Sequence, residues 1–170
     1  KYVGAKITYK FGDKAETLNG SEIHNWLVVN GTSVSVSESK AAEYVKNLAS
    51  TYNTAYKPKT LKTSYGKPVT ITTGNYGWKI DQAKETAALV SLIKNGEQTS
   101  REPEYSQKAA SHSGNDYGNT YVEINLTAQH LYFYANGKLL VESDFVSGNA
   151  AKGWSTPAGA YSITYKQRNA

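Results

Sequence analysis

The chain has no cysteine. It therefore offers no disulfide framework, no thiolate nucleophile and no Cys-based metal site. Histidine is scarce as well: His24, His112 and His130 are the three, and none is spaced to chelate a metal with a second histidine. No Gly-rich phosphate loop is present, and no apolar run approaches the ~20 residues of a membrane span. The chain begins at Lys1 without an initiating Met and shows no signal peptide. After the last strand pattern only Lys166 to Ala170 remain, and they do not resemble the natural end of a domain. The chain thus reads as a piece cut from something longer.

What is present is basic and rich in tyrosine. Nineteen basic residues against 14 acidic ones give a formal net charge of +5 over 170 residues. That balance suits anionic surroundings such as nucleic acid, acidic headgroups or anionic wall polymers. The basic residues are spread out rather than clustered, which argues for a solvated surface and against a nucleic-acid arm. Tyrosine outnumbers phenylalanine 14 to 3. Its apolar ring and polar tip fit carbohydrate or peptide contact, although β-rich structure also favours it.

Taken in order, Ile7 and Tyr9 alternate with polar neighbours as a short strand. Asn19-Gly20-Ser21 supplies a turn and N-cap for a helical face of Ile23, Trp26 and Leu27. Val34 and Val36 suggest another brief strand, and Ser37 caps the next helix. There Ala41, Tyr44, Val45, Leu48, Ala49 and Tyr52 form a continuous apolar stripe. Leu61 to Tyr65 and Val69 to Thr73 read as strands across Gly66-Lys67-Pro68. Asp81 caps a second helix carrying Ala83, Ala87, Leu89, Val90, Leu92 and Ile93, which Asn95-Gly96 ends. A short strand is predicted from Arg101 to Tyr105. Ser106 to Asn119 is polar and lacks an apolar period, so it reads as an exposed linker and domain boundary.

Beyond it, Val122, Ile124 and Leu126 alternate with Glu123 and Asn125 as a half-buried strand. Leu131 to Tyr134 and Lys138 to Phe145 flank Asn136-Gly137, a strong hairpin signal. Thr156-Pro157-Ala158-Gly159 then turns the chain into a last predicted strand, Tyr161 to Tyr165. Strands without their partners leave edges and an apolar face uncovered. Val122, Ile124, Leu131 and Phe133 are accordingly expected to pack on the N-terminal unit or on another chain.

The residues show no catalytic constellation, so no catalytic residue and no metal ligand is assigned. His24 is expected to be structural or exposed, and His130 to be a turn residue. Ser111-His112-Ser113-Gly114 looks like a hydrolase fragment but lies in the linker, without the rigid support that catalysis needs. Glu38, Glu43, Asp81 and Glu85 lie at helix starts, where the dipole alone accounts for them. Trp78 and Trp154 adjoin glycines in predicted loops and, with Tyr76, are the candidate ligand-binding residues. Loop aromatics stack on sugar rings, but they also plug the rims of cores.

Thr120 to Asn125, Gln129, Tyr134, Asn136-Gly137-Lys138, Val146-Ser147-Gly148 and Thr156-Pro157-Ala158-Gly159 resemble the opening of the L,D-transpeptidase (YkuD-type) catalytic domain. Leu18, Ile23, Trp26-Leu27, the helix through Tyr44-Val45 and Leu48, and Tyr76-Gly77-Trp78 with Ile80-Asp81 resemble the peptidoglycan-binding domain that precedes it in Gram-positive members. The order of parts is similar to the Enterococcus-type two-domain enzyme. The family's catalytic His and Ser-His-Gly-Cys segment lie downstream of the Thr-Pro-x-Gly corner. Ser111-His112-Ser113-Gly114 is not that segment, so the piece itself is expected to be inactive.

For the intact protein the resemblance implies acyl transfer in peptidoglycan. A His-activated Cys thiolate attacks a stem tetrapeptide and releases its terminal D-residue. An acceptor amine on a neighbouring stem then resolves the acyl-enzyme into a 3→3 cross-link. No cofactor is implied. Family members bypass penicillin-sensitive cross-linking and are acylated by carbapenems. The partners implied are peptidoglycan stem peptides and glycan, not nucleic acid. The place implied is extracytoplasmic, at the cell wall or outer membrane face of a Gram-positive bacterium, with any membrane anchor outside these residues. The expected fold class is α+β: a mixed helix/strand domain over residues 1–118, then the first strands of a β-rich catalytic domain over 119–170. The alternative is a non-catalytic cell-wall binding module.

Overall fold

The computed structural model describes residues 1–168, so Asn169 and Ala170, the last positions of the predicted second domain, lie outside the described residues. The chain opens with β1 (Lys6–Phe11), β2 (Lys14–Leu18), a short α1 (Gly20–Ile23), β3 (Leu27–Asn30) and β4 (Ser33–Val36). Helix α2 (Glu38–Tyr52) leads to β5 (Lys59–Lys62) and β6 (Pro68–Ile71), then β7 (Lys79–Ile80) and helix α3 (Gln82–Asn95). Strands β8 (Gln98–Arg101), β9 (Tyr105–Gln107), β10 (Tyr121–Asn125), β11 (His130–Ala135) and β12 (Lys138–Asp144) follow. This is the predicted α+β class. Among the described residues no helix is long and apolar enough to cross a membrane.

The elements gather into two compact units that do not follow chain order: Lys1–Asn53 with Trp78–Lys108, and Thr54–Gly77 with the chain from Ala109 onward.

In the first unit β1 is central, antiparallel to β2 and parallel to β8. Ile7, Tyr9 and Phe11 point to one side of it and are buried. The predicted stripe of α2 is buried against them: Ala41, Tyr44, Val45, Leu48 and Ala49. The Ser37 hydroxyl accepts the Lys40 amide at its start. Asp81 does the same for Lys84 in α3, and Gly96 (φ 73°) closes that helix in the left-handed conformation. Leu89, Val90 and Ile93 complete the core, whereas Ala83 and Ala87 face solvent.

Two expectations fail here for physical reasons. The helix starting at Gly20 does not continue to Leu27: it tightens into a 3-10 turn over His24–Trp26, and Leu27 starts a strand paired with β4. Glu85 lies in the first turn of α3 as expected, but the dipole alone does not account for it. It is fully buried, and its carboxylate accepts hydrogen bonds from the Tyr9 hydroxyl (2.6 Å), Arg101 Nη1 (2.8 Å) and the Glu104 amide (2.6 Å). A buried carboxylate persists only when paired and hydrogen-bonded in this way. Burial, followed by the Glu85 charge, pushes the Tyr9 phenol far above its ordinary value.

In the second unit β10, β11 and β12 form an antiparallel sheet, and β5–β6 form a separate hairpin. The Asn136-Gly137 turn forms as predicted, with φ of 50° and 77°. Within this chain the covered side of β10 is the one that carries Glu123. Glu123 is 5% exposed, while Val122 and Ile124 are 43% and 52% exposed. Cross-strand pairing puts Val122, Phe133 and Val141 on one side and Glu123, Tyr132 and Glu142 on the other. The tyrosine-and-glutamate side receives the β5–β6 hairpin through Ser64, so the aliphatic side is the open one.

Other elements shift. The predicted hairpin strands start earlier, at Lys59 and Pro68. The predicted Arg101–Tyr105 strand is two strands in different sheets, β8 beside β1 and β9 beside β7. His130 opens β11 rather than sitting in the turn, and Gln129 takes the positive φ of 53°. Tyr161 to Tyr165 is not a strand: only Ala160 bridges, to Gly74, and no ladder partner lies beyond it among the described residues.

Candidate functional site

Gln129, Ser147-Gly148 and Thr156 belong to stretches that carry the resemblance, and hydrogen bonds join them around the Trp154–Gly159 corner. Gln129 holds the loop after β12 from both ends of its amide: Oε1 accepts the Ser147 amide at 2.7 Å, and Nε2 donates to Ser147 Oγ at 2.8 Å. The next residue, Gly148, donates its amide to Thr156 Oγ1 at 2.8 Å. A Cβ on Gly148 would overlap the Trp154 carbonyl, so glycine is required there by close approach. Asn149 caps the following short turn and accepts the Trp154 amide through its carbonyl at 2.9 Å.

The corner is closed from the other side by Thr73 to Tyr76. Thr73 Oγ1 donates to the Ala158 carbonyl at 2.7 Å. The Ala160 amide donates to the Thr73 carbonyl at 3.0 Å, and the Asn75 and Tyr76 amides donate to the Ala160 carbonyl at 3.0 and 3.1 Å.

Of the candidate ligand contacts, Trp154 is 69% exposed at the corner, with Lys152 Nζ 5.8 Å from its ring centroid. Tyr76 is half-buried in the same unit. Its hydroxyl accepts the Ala110 amide at 3.0 Å and donates to the Asp116 carbonyl at 3.3 Å. Burial raises its phenol above the ordinary range. Trp78 belongs to the first unit, is 7% exposed, and packs its ring 4.8 Å from that of Tyr105.

A polar cluster that sequence reading did not single out sits beside Tyr76. Lys59 Nζ and Asp116 Oδ2 are 2.6 Å apart, with both side chains nearly buried. Thr54 Oγ1 donates to the same carboxylate oxygen at 2.5 Å, and Lys59 Nζ also reaches the Thr54 carbonyl at 3.1 Å. The predicted linker is thus pinned at Asp116, whose carbonyl also accepts the Ala110 and Ser111 amides. Lys59 and Asp116 are 57 positions apart, which is why neither motif nor period could join them.

The remaining candidates are accounted for locally. Ser111 Oγ accepts the Ser113 amide and bonds the Ser113 carbonyl, which shapes the turn. His24 is exposed on the 3-10 turn. His130 Nδ1 lies 2.7 Å from Asp144 Oδ1 and Nε2 lies 3.5 Å from Glu142 Oε2. Among the described residues no three His, Asp or Glu side chains gather as a metal-binding group. What the corner provides is rigid support: fixed backbone, an exposed aromatic and a cation.

These parts define a two-part α+β scaffold with a fixed, aromatic-bearing corner, and comparisons with known proteins show what it is similar to. Residues 1–101 match the family described as "Putative peptidoglycan binding domain", and residues 119–170 match the L,D-transpeptidase catalytic domain, YkuD. Two solved structures are similar over 93% of the chain at 30% identity and a TM-score of 0.68: the Ldtfm-avibactam carbamoyl enzyme and a cysteine-to-serine mutant of Enterococcus faecium L,D-transpeptidase. The chain spans 62% and 63% of those two structures. It has no match among curated protein sequences. The chain belongs to the peptidoglycan-binding family whose model covers more than half of it, and its residues 119–170 match the YkuD domain that follows.

Proposed function

We propose that these residues supply the wall-binding part and the catalytic scaffold of a peptidoglycan L,D-transpeptidase that makes 3→3 cross-links. The observation that carries this reading is the bonded set Gln129–Ser147, Gly148–Thr156 and Thr73–Ala158, which holds three of the resembling stretches in one corner. In the reaction a cysteine thiolate attacks the carbonyl before the donor's terminal D-residue. The amide C–N bond breaks, and the departing amine takes the proton. The acceptor amine then attacks the thioester carbonyl, gives one proton to the histidine base and expels the thiolate, leaving a new amide. The chain has no cysteine, so the nucleophile is not among its residues.

The protein acts on the outer side of the membrane of a Gram-positive bacterium, anchored by a segment outside these residues. The intact enzyme confers tolerance to β-lactams that block the penicillin-sensitive route. Trp154 and Tyr76 contact the wall ligand, with Trp154 stacking on a sugar or peptide face beside Lys152. Trp78 supports the wall-binding unit by packing on Tyr105.

Sedimentation with purified sacculi tests the binding half. The chain should pellet with peptidoglycan, and Trp154→Ala should bind several-fold less, on the order of the ~1 kcal/mol that an aromatic contact contributes. A chain that stays in the supernatant overturns the reading. Purely non-catalytic wall binding is favoured only by the missing cysteine. The coding sequence after Ala170 decides between the two: a His followed by Ser-His-Gly-Cys supports the enzyme, and a stop codon removes it.

A further inference from the structure

We infer that residues 54–77, which lie inside the peptidoglycan-binding family match, are a built-in part of the catalytic unit, a closed excursion whose end straps the Thr156–Ala160 corner. Calling that unit catalytic rests on the proposed function; the strap rests on its contacts alone.

The excursion leaves and returns at one point. Gly77 (φ 139°) lies so close to the backbone of Thr54 and Ala55 that a Cβ would overlap it. Between those ends, Lys59, Thr60 and Ser64 reach the chain after Ala109. Lys59 and Thr54 meet Asp116, and the Tyr117 hydroxyl donates to the Thr60 carbonyl at 3.2 Å. The Ser64 amide donates to both Glu123 carboxylate oxygens at 3.1 and 3.0 Å, and Ser64 Oγ donates to Oε2 at 2.6 Å. A hydroxyl has one proton, so at the 2.8 Å contact Tyr134 donates to Ser64 Oγ.

These partners are mutual. Lys59 and Glu123 are both buried, and each finds its charge or hydrogen-bond partner on the other stretch. Taking away either stretch would leave a buried ionised group unpaired, which is costly. A hairpin that merely decorated the wall-binding unit would turn such groups to water.

Gly74 marks where the strap touches the corner. Its φ is 99°, and a Cβ there would overlap the Ala160 carbonyl oxygen and amide nitrogen. Gly66, at the hairpin turn, has a similar φ of 86° with open space around it. The pair separates backbone strain from close approach.

Hydrogen exchange of Gly74→Ala and Gly66→Ala in the full 170-residue chain tests the strap. In Gly74→Ala the amides of Ala160, Asn75 and Tyr76 should exchange about tenfold faster or more, while the β1 amides keep their protection. In Gly66→Ala the same corner amides should stay within about twofold of the parent. Equal acceleration in both variants, or unchanged protection at Ala160 in Gly74→Ala, overturns the inference. Should Gly74→Ala not fold, Thr73→Val removes only the bond to Ala158. It should speed the same amides to a lesser degree, and no change there also overturns the strap. None of these readouts depends on acyl transfer or wall binding, so the strap and the proposed function fail separately.

Discussion

The two units are held together by different forces. Among the described residues, every buried hydrophobic side chain except Ala55 belongs to the first unit. Apart from Ala55 and Gly77, the buried residues of the second are polar: Lys59, Thr63 and Glu123. The first unit is therefore stabilised by area removed from water, which is non-directional and tolerant of small shifts. The second is held by hydrogen bonds and an ion pair, which contribute modestly when made and cost heavily when one partner is missing. Such contacts fix where groups sit more than how strongly the unit holds. That suits a region whose proposed task is to support an active site.

The largest effect that would break this contrast lies in the first unit. Leu89 is fully buried, so Leu89→Ala should cost about 2–5 kcal/mol, read by urea unfolding. Trp26 and Trp78 are buried in that unit and report its unfolding, whereas exposed Trp154 changes little. A loss under about 0.5 kcal/mol, the surface range, would mean that the helix does not carry the core. Glu123→Ala should come next, about 1–3 kcal/mol, because the Ser64 amide loses its acceptor. That loss should appear as faster hydrogen exchange in β10 and at Ser64, with β1 unaffected. If β1 also loosened, the two units would not be separable in this way. Ile124→Ala should fall within about 0.5 kcal/mol, since the residue is largely exposed. A core-sized cost there would restore the orientation of β10 that its alternation implies.

The unequal forces also explain what could be read in advance. Helices α2 and α3, their caps at Ser37 and Asp81 and the Asn136-Gly137 hairpin were legible because period, cap and turn chemistry are local signals. The fold class and the order of parts followed from them and from the resemblance. Glu85 was misread because a carboxylate in a first helical turn looks like a dipole partner, and its true partners, Tyr9 and Arg101, are 76 and 16 positions away. The side of β10 covered within this chain was not legible because alternation names two sides but not which one is covered, and the cover comes from Ser64, 59 positions earlier. At the corner, Trp154 was legible as a loop aromatic. Its clamp at Thr73 and Gly74 was not, since nothing in Thr-Thr-Gly announces a partner 85 residues later.

The smallest expected effect sharpens the contrast at the exposed end of the second sheet. His130 pairs across the ladder with Asp144, and its ring nitrogens face the carboxylates of Asp144 and Glu142, with the Tyr132 ring 4.7 Å away. The hydrogen bond to Asp144 is the main cause that raises the His130 pKa above 6.5. Partial desolvation opposes it, and Glu142 adds to it. A raised folded-state pKa means that the protonated, doubly donating imidazolium stabilises the hairpin fully below the unfolded value near 6.5. The contribution fades as pH rises through the higher folded value. Because the site is open to solvent, salt should weaken it. An NMR titration should place the His130 midpoint above 6.5, and Asp144→Asn should bring it down. Hydrogen exchange in β11 and β12 should quicken across that same interval in the parent chain but not in His130→Ala. A flat profile in the parent would show that the hairpin is held by its ladder and turn alone.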